Sequence, residues 1–133
     1  MAEPIPGATA LTHLLVVRDT HAARGFYEDV LGAEVFREYE GSVVLKLLNN
    51  WLLLVAAGGP TEDKPDVHMV PPVDPDRVSA ELIFRVDDCQ TAYDALGERG
   101  ARFLTPPVER GVETRAFFRD LDGHLFEISS IAS

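Results

Sequence analysis

The sequence predicts an α+β fold of two tandem βαβββ modules, whose strands form a curved mixed β-sheet around a cavity. Three features lead to this prediction: an internal repeat, a hairpin signal at the end of each copy, and a proline-rich segment between the copies. The repeat aligns HLLVVRDTHAARGFYEDVLGAEVF, from His13, with ELIFRVDDCQTAYDALGERGARFL, from Glu81, at an offset of 68 residues and without a gap. We therefore expect modules at residues 9–57 and 80–131 that together make one domain.

Each copy opens with a short apolar strand that leads into an acidic helix cap. The strands are expected at residues 11–17 and 80–86. The alignment places Asp19 on Asp87, and an aspartate at this point favours the N-cap of a helix. A helix is therefore predicted to start directly after each strand.

Amphipathic helices are predicted at residues 20–31 and 88–99. Apolar residues recur at helical spacing, as Ala22, Phe26 and Val30 do in the first copy. Gly32 and Gly100 follow the helices, and glycine readily takes the left-handed conformation that ends a helix. Both copies thus predict the same order of strand, helix and stop.

Each copy ends in a predicted β-hairpin that follows a short strand, at residues 34–36 or 102–104. The first hairpin, SVVLKLLNNWLLLVA, is expected to turn at Asn49-Asn50. The second, TRAFFRDLDGHLFEISS, is expected to turn at Asp122-Gly123. Both pairs tolerate the positive φ angles of a two-residue hairpin turn. These strands complete the βαβββ pattern of each module.

The segment between the copies, residues 58–79, is predicted to be a linker or a lid. It contains five of the nine prolines and many charged residues. A segment this long without secondary structure, inside a compact chain, is usually functional or mobile. We expect it to cover the mouth of a site.

The composition describes a compact acidic protein and excludes several functional classes. The chain has 133 residues, 46% of them hydrophobic, and its formal net charge of −10 repels nucleic acid. No apolar run approaches the roughly 20 residues that a membrane span needs, and the N-terminal sequence lacks the pattern of a signal peptide. The single cysteine, Cys89, agrees with a reducing compartment. We expect a cytoplasmic protein whose partner is a small molecule, with no nucleic acid or membrane partner.

Two tandem modules, with FYEDVLGAEVF after the first strand and RDLDGHLFEI near the end of the chain, resemble the vicinal oxygen chelate superfamily. This group of glyoxalases, bleomycin resistance proteins and extradiol dioxygenases also includes an epimerase and fosfomycin-resistance thiol transferases. The resemblance covers residues 11–131. It implies the glyoxalase/bleomycin-resistance-type fold and a homodimer in which modules exchange or sites form across subunits. It does not select a reaction, since the fold hosts several chemistries.

The resemblance also implies a set of metal ligands on the first and last strands of the modules. Carried over to this sequence, those positions are His13, Glu81 and Glu127. Aligning the two predicted turns gives an offset of 73, which makes Leu54 equivalent to Glu127 and leaves three protein ligands. Glu81 stands where the family commonly has histidine. In having leucine rather than an acid at position 54, the sequence resembles the dioxygenases and fosfomycin enzymes, which have no acid at the equivalent position.

The residues themselves point to the same site through the alternation of strand side chains between faces. The expected helix-facing residues are Leu14, Val16, Leu82, Phe84, Val86, Phe126 and Ile128. His13, Glu81 and Glu127 then project into the concave side. Two carboxylates in a partly dry cavity cannot both stay ionised unless a cation compensates them; otherwise one takes up a proton.

A divalent ion resolves that conflict and leaves open positions for water and substrate. One imidazole and two carboxylates suit Fe, Mn, Co, Ni or Zn. The alternative for each residue alone is structural: a solvated histidine near a strand start, or an exposed glutamate at a strand end.

Arg115, Trp51 and Phe117 are the candidates for substrate binding. Arg115 offers a forked contact to a carboxylate or another oxyanion, and its alternative role is a surface cation beside Glu113. Trp51 is either a wall of the cavity or an interface residue. Phe117 and Phe118 are expected on opposite faces, so that one lines the cavity and one packs on a helix.

Two functions follow, and the sequence leaves both open. The first is a metal-dependent lyase, isomerase or dioxygenase that acts on a small oxygen-rich substrate through bidentate metal chelation, with Glu81 or Glu127 as a catalytic base. The second is a metal-free protein that binds an antibiotic or a metabolite, as bleomycin-resistance proteins do.

Overall fold

The computed structural model of the protein describes residues 4–132, and this part of the chain contains nine strands and two helices. The first half has β1 (Thr12–Val17), α1 (Thr20–Asp29), β2 (Glu34–Tyr39), β3 (Ser42–Leu47) and β4 (Asn50–Ala56). The second half has β5 (Leu82–Arg85), α2 (Cys89–Glu98), β6 (Arg102–Phe103), β7 (Val108–Arg110), β8 (Glu113–Arg119) and β9 (Leu125–Ile131). Neither of these helices is long and apolar enough to cross a membrane.

Each half folds into its own mixed sheet. The first sheet has the order β1-β4-β3-β2, in which β1 and β4 are parallel and the other neighbours are antiparallel. The second has the order β5-β9-β8-β6, with β5 and β9 parallel and β7 as an additional partner of β8. The α+β class and the two modules are confirmed. The short strand β7 lies outside the predicted βαβββ pattern.

The helices start at aspartate caps, and the second cap lies one residue beyond its predicted position. Asp19 Oδ1 accepts from the backbone N–H groups of His21 and Ala22, at 3.0 and 3.1 Å. In the second half the cap is Asp88, whose Oδ2 accepts from the backbone N–H of Thr91 at 2.9 Å. Asp19 therefore corresponds to Asp88, and the copies are related by 69 residues at the strand–helix junction rather than by 68.

The helices end close to their predicted positions. Val30 is the C-cap of α1 and Arg99 is the C-cap of α2. Gly32 and Gly100 follow with φ angles of 72° and 111°, a conformation that only glycine adopts at little cost. These glycines are 68 residues apart, so the second copy is one residue shorter between its helix cap and its glycine.

The first hairpin turns one residue earlier than predicted. Leu47 pairs with Asn50, and the two turn residues are Leu48 and Asn49, with φ angles of 51° and 63°. Positive φ at both positions is typical of the turn that matches the twist of a hairpin. The predicted pair Asn49-Asn50 is therefore wrong by one position, because a leucine occupies a place where asparagine or glycine is expected.

The second hairpin closes through a longer loop than the predicted two-residue turn. Arg119 at the end of β8 pairs with Leu125 at the start of β9, and the residues between them form the loop. Asp120 Oδ1 accepts from the backbone N–H groups of Asp122 and His124, at 3.0 and 2.8 Å. The shape of this loop is thus set by a buried carboxylate rather than by Asp122-Gly123 alone.

One hydrophobic core joins the two modules. It contains Tyr27 of α1, Cys89 of α2 and Phe126 of β9, together with residues of both sheets. The Tyr27 ring meets the Phe126 ring edge-on, with ring centroids 6.1 Å apart, so the first helix packs on the second sheet. The core-facing sides of the two sheets are therefore buried together, and we call their opposite sides the outer faces.

Part of the segment 58–79 lies against the junction of the two modules. The Arg18 guanidinium donates to the Pro72 carbonyl at 2.6 Å. Arg119 Nη2 lies 2.7 Å from an Asp76 carboxylate oxygen. These contacts fix the second half of the segment beside the β8–β9 loop. That the segment covers the mouth of a site stays a prediction.

Candidate functional site

Glu127 lies on the outer face of the second sheet. Its neighbours in β9, Phe126 and Ile128, belong to the core, and strand side chains alternate between faces. Ile83 of β5 and Phe117 of β8 flank Glu127 in the register of the sheet. Glu127 is nevertheless only 3% exposed. A carboxyl group is thus buried outside the hydrophobic core, where its ionisation depends on the side chains around it.

Three carboxyl groups meet around Glu127. Burial, and then the neighbouring carboxyls of Glu81 and Glu113, raise the pKa of Glu127 to about 7. The pKa of Glu113 is lowered instead, chiefly because the Ser129 hydroxyl donates to it, with smaller effects from Glu127 and two arginines. A pKa of about 7 lets Glu127 take up a proton near neutral pH, which is one of the two outcomes that the sequence allows for crowded carboxylates.

Two arginines and a serine compensate the charge of Glu113. The Ser129 hydroxyl donates to Glu113 Oε2 at 2.5 Å and accepts from Arg85 Nη1 at 2.6 Å. Arg85 Nη1 lies 3.7 Å from Glu113 Oε2, and Arg115 Nη1 lies 3.6 Å from Glu113 Oε1. The chain therefore supplies its own counter-ions at this site. We call this set the Glu127 cluster: Glu81, Arg85, Glu113, Arg115, Glu127 and Ser129.

Arg115 connects the Glu127 cluster to an aromatic ring. Its guanidinium carbon lies 5.2 Å from the centre of the Phe117 ring, a cation–π arrangement. Arg115 also makes the contact with Glu113 that the sequence offers as its alternative role. Both Arg115 and Phe117 are half-buried, and their contact with a substrate stays a prediction.

His13 lies on the core-facing side of the first sheet. It pairs with Leu52 in the register of β1 and β4, and Leu52 is a core residue. Paired residues of neighbouring strands share a face, so His13 points to the same side as Leu52 and Leu15. Leu14, which the sequence predicts to back the helix, lies on the outer face and is 41% exposed. The predicted orientation of β1 is therefore wrong, and that of β9 agrees with the structure.

His13 and Glu81 border one cavity where the modules meet, but Glu127 is not among the residues that line it. Within residues 4–132, no three His, Cys, Asp or Glu side chains are placed to hold a metal ion together. Thr12 and Leu14 occupy the outer face of β1, and neither supplies an imidazole or a carboxylate. The donor set of the Glu127 face also includes two guanidinium groups, which repel a divalent cation. The residues present in this chain therefore do not fit the expected three-ligand metal site.

Trp51 lies on the outer face of the first sheet. It pairs with Thr12 and Lys46 in the register of the sheet. The Lys46 ammonium lies 5.4 Å from the centre of a Trp51 ring, and the Phe36 ring meets Trp51 edge-on with centroids 5.2 Å apart. Trp51 is half-buried and Phe36 is 62% exposed, and this aromatic surface is suited to both roles that the sequence predicts for Trp51, ligand contact and interface contact.

A cavity of about 250 Å³ lies where the two modules meet. It is bordered by β1, by the residues just before β5, and by the start of β9, including His13, Glu81 and Leu125. Its volume lies just below the usual range of ligand pockets, about 300–1,000 Å³. Glu81 borders this cavity and also contacts Glu127, so one side chain links the cavity to the Glu127 cluster.

Arg85, Glu113 and Ser129 are members of the cluster that sequence reasoning does not select as site residues. A signal for them exists, because Ser129 is two residues beyond Glu127 and pairs with both Arg85 and Arg115 across the sheet. Polar residues at alternate positions are, however, also the pattern of an ordinary solvent-facing sheet. Only the register across three strands distinguishes the two cases.

Comparisons with known proteins agree with this architecture. The family model described as Glyoxalase/Bleomycin resistance protein/Dioxygenase superfamily matches residues 10–128. No curated protein matches the chain. Among solved structures, an integron cassette protein from V. cholerae is 27% identical, with a TM-score of 0.71 and 98% of each chain covered.

Two further solved structures share the fold at lower identity. A glyoxalase/bleomycin resistance protein/dioxygenase from Nocardioides is 21% identical, with a TM-score of 0.72, and the match covers 98% of this chain and 87% of that chain. A mutant of the fosfomycin resistance protein FosX from Listeria monocytogenes, complexed with Mn(II) and a dihydroxypropylphosphonic acid, is 18% identical, with a TM-score of 0.64 and coverage of 91% and 89%. With the family model covering most of its length, the chain belongs to the Glyoxalase/Bleomycin resistance protein/Dioxygenase superfamily.

Proposed function

We propose that this chain is a small-molecule-binding protein of its superfamily that holds its ligand at the Glu127 cluster without a metal ion. The observation that carries the proposal is the pairing of Glu113 with Arg85, Arg115 and Ser129. A site whose charges are already balanced by its own side chains gains little from a divalent cation. The position of His13 on the core-facing side supports the same conclusion.

The cluster favours a ligand that combines a polar group with an apolar or aromatic part. A carboxyl group with a pKa of about 7, as Glu127 has, donates or accepts a hydrogen bond near neutral pH. The Arg115 guanidinium beside the Phe117 ring adds a forked donor and an aromatic surface. Antibiotics and metabolites with a hydroxyl or other neutral hydrogen-bonding group next to a ring meet these requirements.

A second copy of the chain is the proposed cover of the outer faces. Ile83 and Ile131 on the second sheet are each 50% exposed, and Leu14 on the first is 41% exposed. Apolar side chains grouped on a sheet face favour association. A homodimer that pairs the outer face of the first sheet with that of the second would place Trp51 of one copy near the Glu127 cluster of the other.

The metal-dependent enzyme remains the second candidate. What favours it is the convergence of Glu81 and Glu127, together with the Mn(II) in the FosX complex. Members of the superfamily typically use a divalent metal. For this chain the candidate requires a further ligand on the Glu127 face, which neither Thr12 nor Leu14 supplies.

Elemental analysis of untagged protein, combined with a binding screen, separates the two candidates. The proposal predicts less than about 0.1 divalent metal per chain and saturable binding of a small aromatic compound with a hydrogen-bonding group, which Glu127→Gln weakens. Near-stoichiometric metal, lost in Glu127→Gln and in His13→Ala but kept in the control His68→Ala, would overturn the proposal in favour of the enzyme. His68 is exposed and lies outside both sheets, so its loss tests for adventitious binding.

A further inference from the structure

A second cavity, away from the Glu127 cluster, lies at the β6 edge of the second sheet. Its volume is about 570 Å³, and its walls include Phe26 of α1, Arg102 and Phe103 of β6, and Arg119 and Asp120 at the end of β8. No member of the Glu127 cluster borders it. We call it the edge cavity. Two aromatic rings and two guanidinium groups thus border the edge cavity. Two cationic groups at one cavity are unexpected in a chain with a net charge of −10.

The two arginines of the edge cavity lie directly opposite one another. Arg102 of β6 and Arg119 of β8 are register partners in an antiparallel pair. Opposed residues of such a pair hold their side chains on the same face, and like charges there destabilise the sheet. Within residues 4–132, Arg102 makes none of the ion pairs. An anion between the two guanidinium groups would remove this repulsion.

Arg119 has a buried donor that lacks a partner. Its Nε is the one buried side-chain nitrogen or oxygen in residues 4–132 without a hydrogen bond. Its Nη2 contacts an Asp76 carboxylate oxygen at 2.7 Å. Leaving a buried charged donor unpaired is costly, and a native structure normally satisfies such a group. Within residues 4–132 the Nε–H therefore lacks an acceptor, and because it is buried, an anion reaches it only when the Arg119 side chain shifts.

The acidic groups near the edge cavity leave room for an anion. Asp120 borders the cavity, but its carboxylate already accepts from the Tyr27 hydroxyl and from two backbone N–H groups. Burial also raises the pKa of Asp120. Asp76 is the direct competitor, because it occupies one nitrogen of Arg119 from the exposed segment 58–79.

We infer that the edge cavity is a binding site for a small organic anion. A carboxylate or phosphate group would lie between Arg102 and Arg119 and accept from Arg119 Nε, and an apolar body would rest between Phe26 and Phe103. In the unliganded protein the Asp76 carboxylate contacts Arg119, and the anion displaces this carboxylate when it binds. The site is independent of the Glu127 cluster, and its test does not depend on the function proposed there.

Benzoate and inorganic phosphate are suitable probes, titrated into the full chain at low salt and followed by isothermal titration calorimetry or backbone amide NMR. Saturable binding should shift the amides of residues 100–104 and 119–121. Arg102→Gln and Arg119→Gln should each weaken binding by about tenfold or more. Asp76→Asn should strengthen it several-fold, since it removes the competing carboxylate.

Arg37→Gln is the matched control, because Arg37 is an exposed arginine on the other sheet. It should leave the affinity unchanged. Equal weakening by Arg37→Gln and Arg102→Gln would mean that the probes sense only general charge, and the inference would fail. It would also fail if neither probe saturates, or if Asp76→Asn weakens binding. Arg102 is exposed, so its variant keeps the test valid even if Arg119→Gln does not fold.

Discussion

The Tyr27 hydroxyl donates to Asp120 Oδ2 at 2.6 Å, and this buried hydrogen bond fastens the helix of the first module to the β8–β9 loop of the second. The same Asp120 carboxylate organises the loop through two backbone N–H groups. Burial raises the pKa of both side chains, that of Tyr27 well above its ordinary value. This one phenol–carboxyl pair thus joins the two modules at the β8–β9 loop. The loop leads into β9, the strand that carries Glu127.

Removing that hydroxyl should destabilise the protein. Tyr27→Phe keeps the ring in the core but leaves the Asp120 carboxyl without its side-chain donor, so the free energy of unfolding should fall by about 1–3 kcal/mol. Urea denaturation measures the change. Tyr93→Phe is the control, because Tyr93 is a half-buried tyrosine of α2 whose ring packs on Phe103. A loss no larger than that of the control would show that the Tyr27–Asp120 bond does not hold the modules together.

The pKa of Glu127 predicts how stability depends on pH. A carboxyl whose pKa rises from 4.5 in the unfolded chain to about 7 in the folded one binds its proton more tightly when folded. Its stabilising contribution is full below about pH 4.5 and is lost as the pH rises through about 7.

Glu127→Gln removes this pH dependence while keeping a neutral side chain of similar shape. Between about pH 5 and pH 8 the wild type should lose roughly 1–3 kcal/mol of stability relative to the variant, and the variant should be the more stable protein at pH 8. Unfolding free energies over this range measure the difference. Glu109→Gln, at an exposed position of β7, should run parallel to the wild type. Parallel curves for Glu127→Gln would contradict the account of the cluster.

Leu48 occupies a turn position that disfavours leucine. Its φ of 51° costs a residue with a side chain about 1 kcal/mol, and asparagine is preferred there. Leu48→Asn should therefore raise the free energy of unfolding by roughly 0.5–1 kcal/mol. Leu11→Asn replaces a leucine of similar exposure, 69% against 68%, that has no positive φ, and should bring no gain. A destabilised Leu48→Asn would instead mean that the leucine packs on the modules.

The second helix cap gives a direct test of how the copies correspond. Asp88→Ala removes the acceptor for the Thr91 backbone N–H and should cost about 0.5–2 kcal/mol. Asp87→Ala should cost much less, although the sequence alignment favours Asp87 as the cap. Thermal or urea denaturation of the two variants decides between them, and the reverse order would restore the predicted offset of 68.

The modules could be predicted from the sequence because helical periodicity, glycine stops and hairpins extend over many residues. Which side chains of β1 point to the core could not be predicted in this way. Strand side chains alternate between faces with a period of two, so a slip of one residue moves every side chain to the opposite face. The glycines Gly32 and Gly100 are 68 residues apart, whereas the caps Asp19 and Asp88 are 69 apart. An alignment without gaps follows the glycines and misplaces His13, which corresponds in the structure to Leu82.

Glu127 could be recognised as unusual because it is an acid within an apolar strand. Its compensation by Arg85, Arg115 and Ser129 depends on the register of β5, β8 and β9, which local patterns do not encode. From the sequence, crowded carboxyls are expected to acquire either a metal ion or a proton. The neighbouring cations, on which the proposed choice of a proton depends, come from strands distant in the chain.

The most direct test of the proposed metal-independent site is the thermal stability of chelator-treated protein as Mn²⁺, Zn²⁺ or Ni²⁺ is added. Arg85 and Arg115 already neutralise the acidic face. The melting temperature of the wild type should therefore stay unchanged at every metal concentration that leaves the melting temperature of Glu127→Gln unchanged. A saturable rise in the melting temperature of the wild type, abolished by both Glu127→Gln and His13→Ala, would contradict the account and establish a metal site.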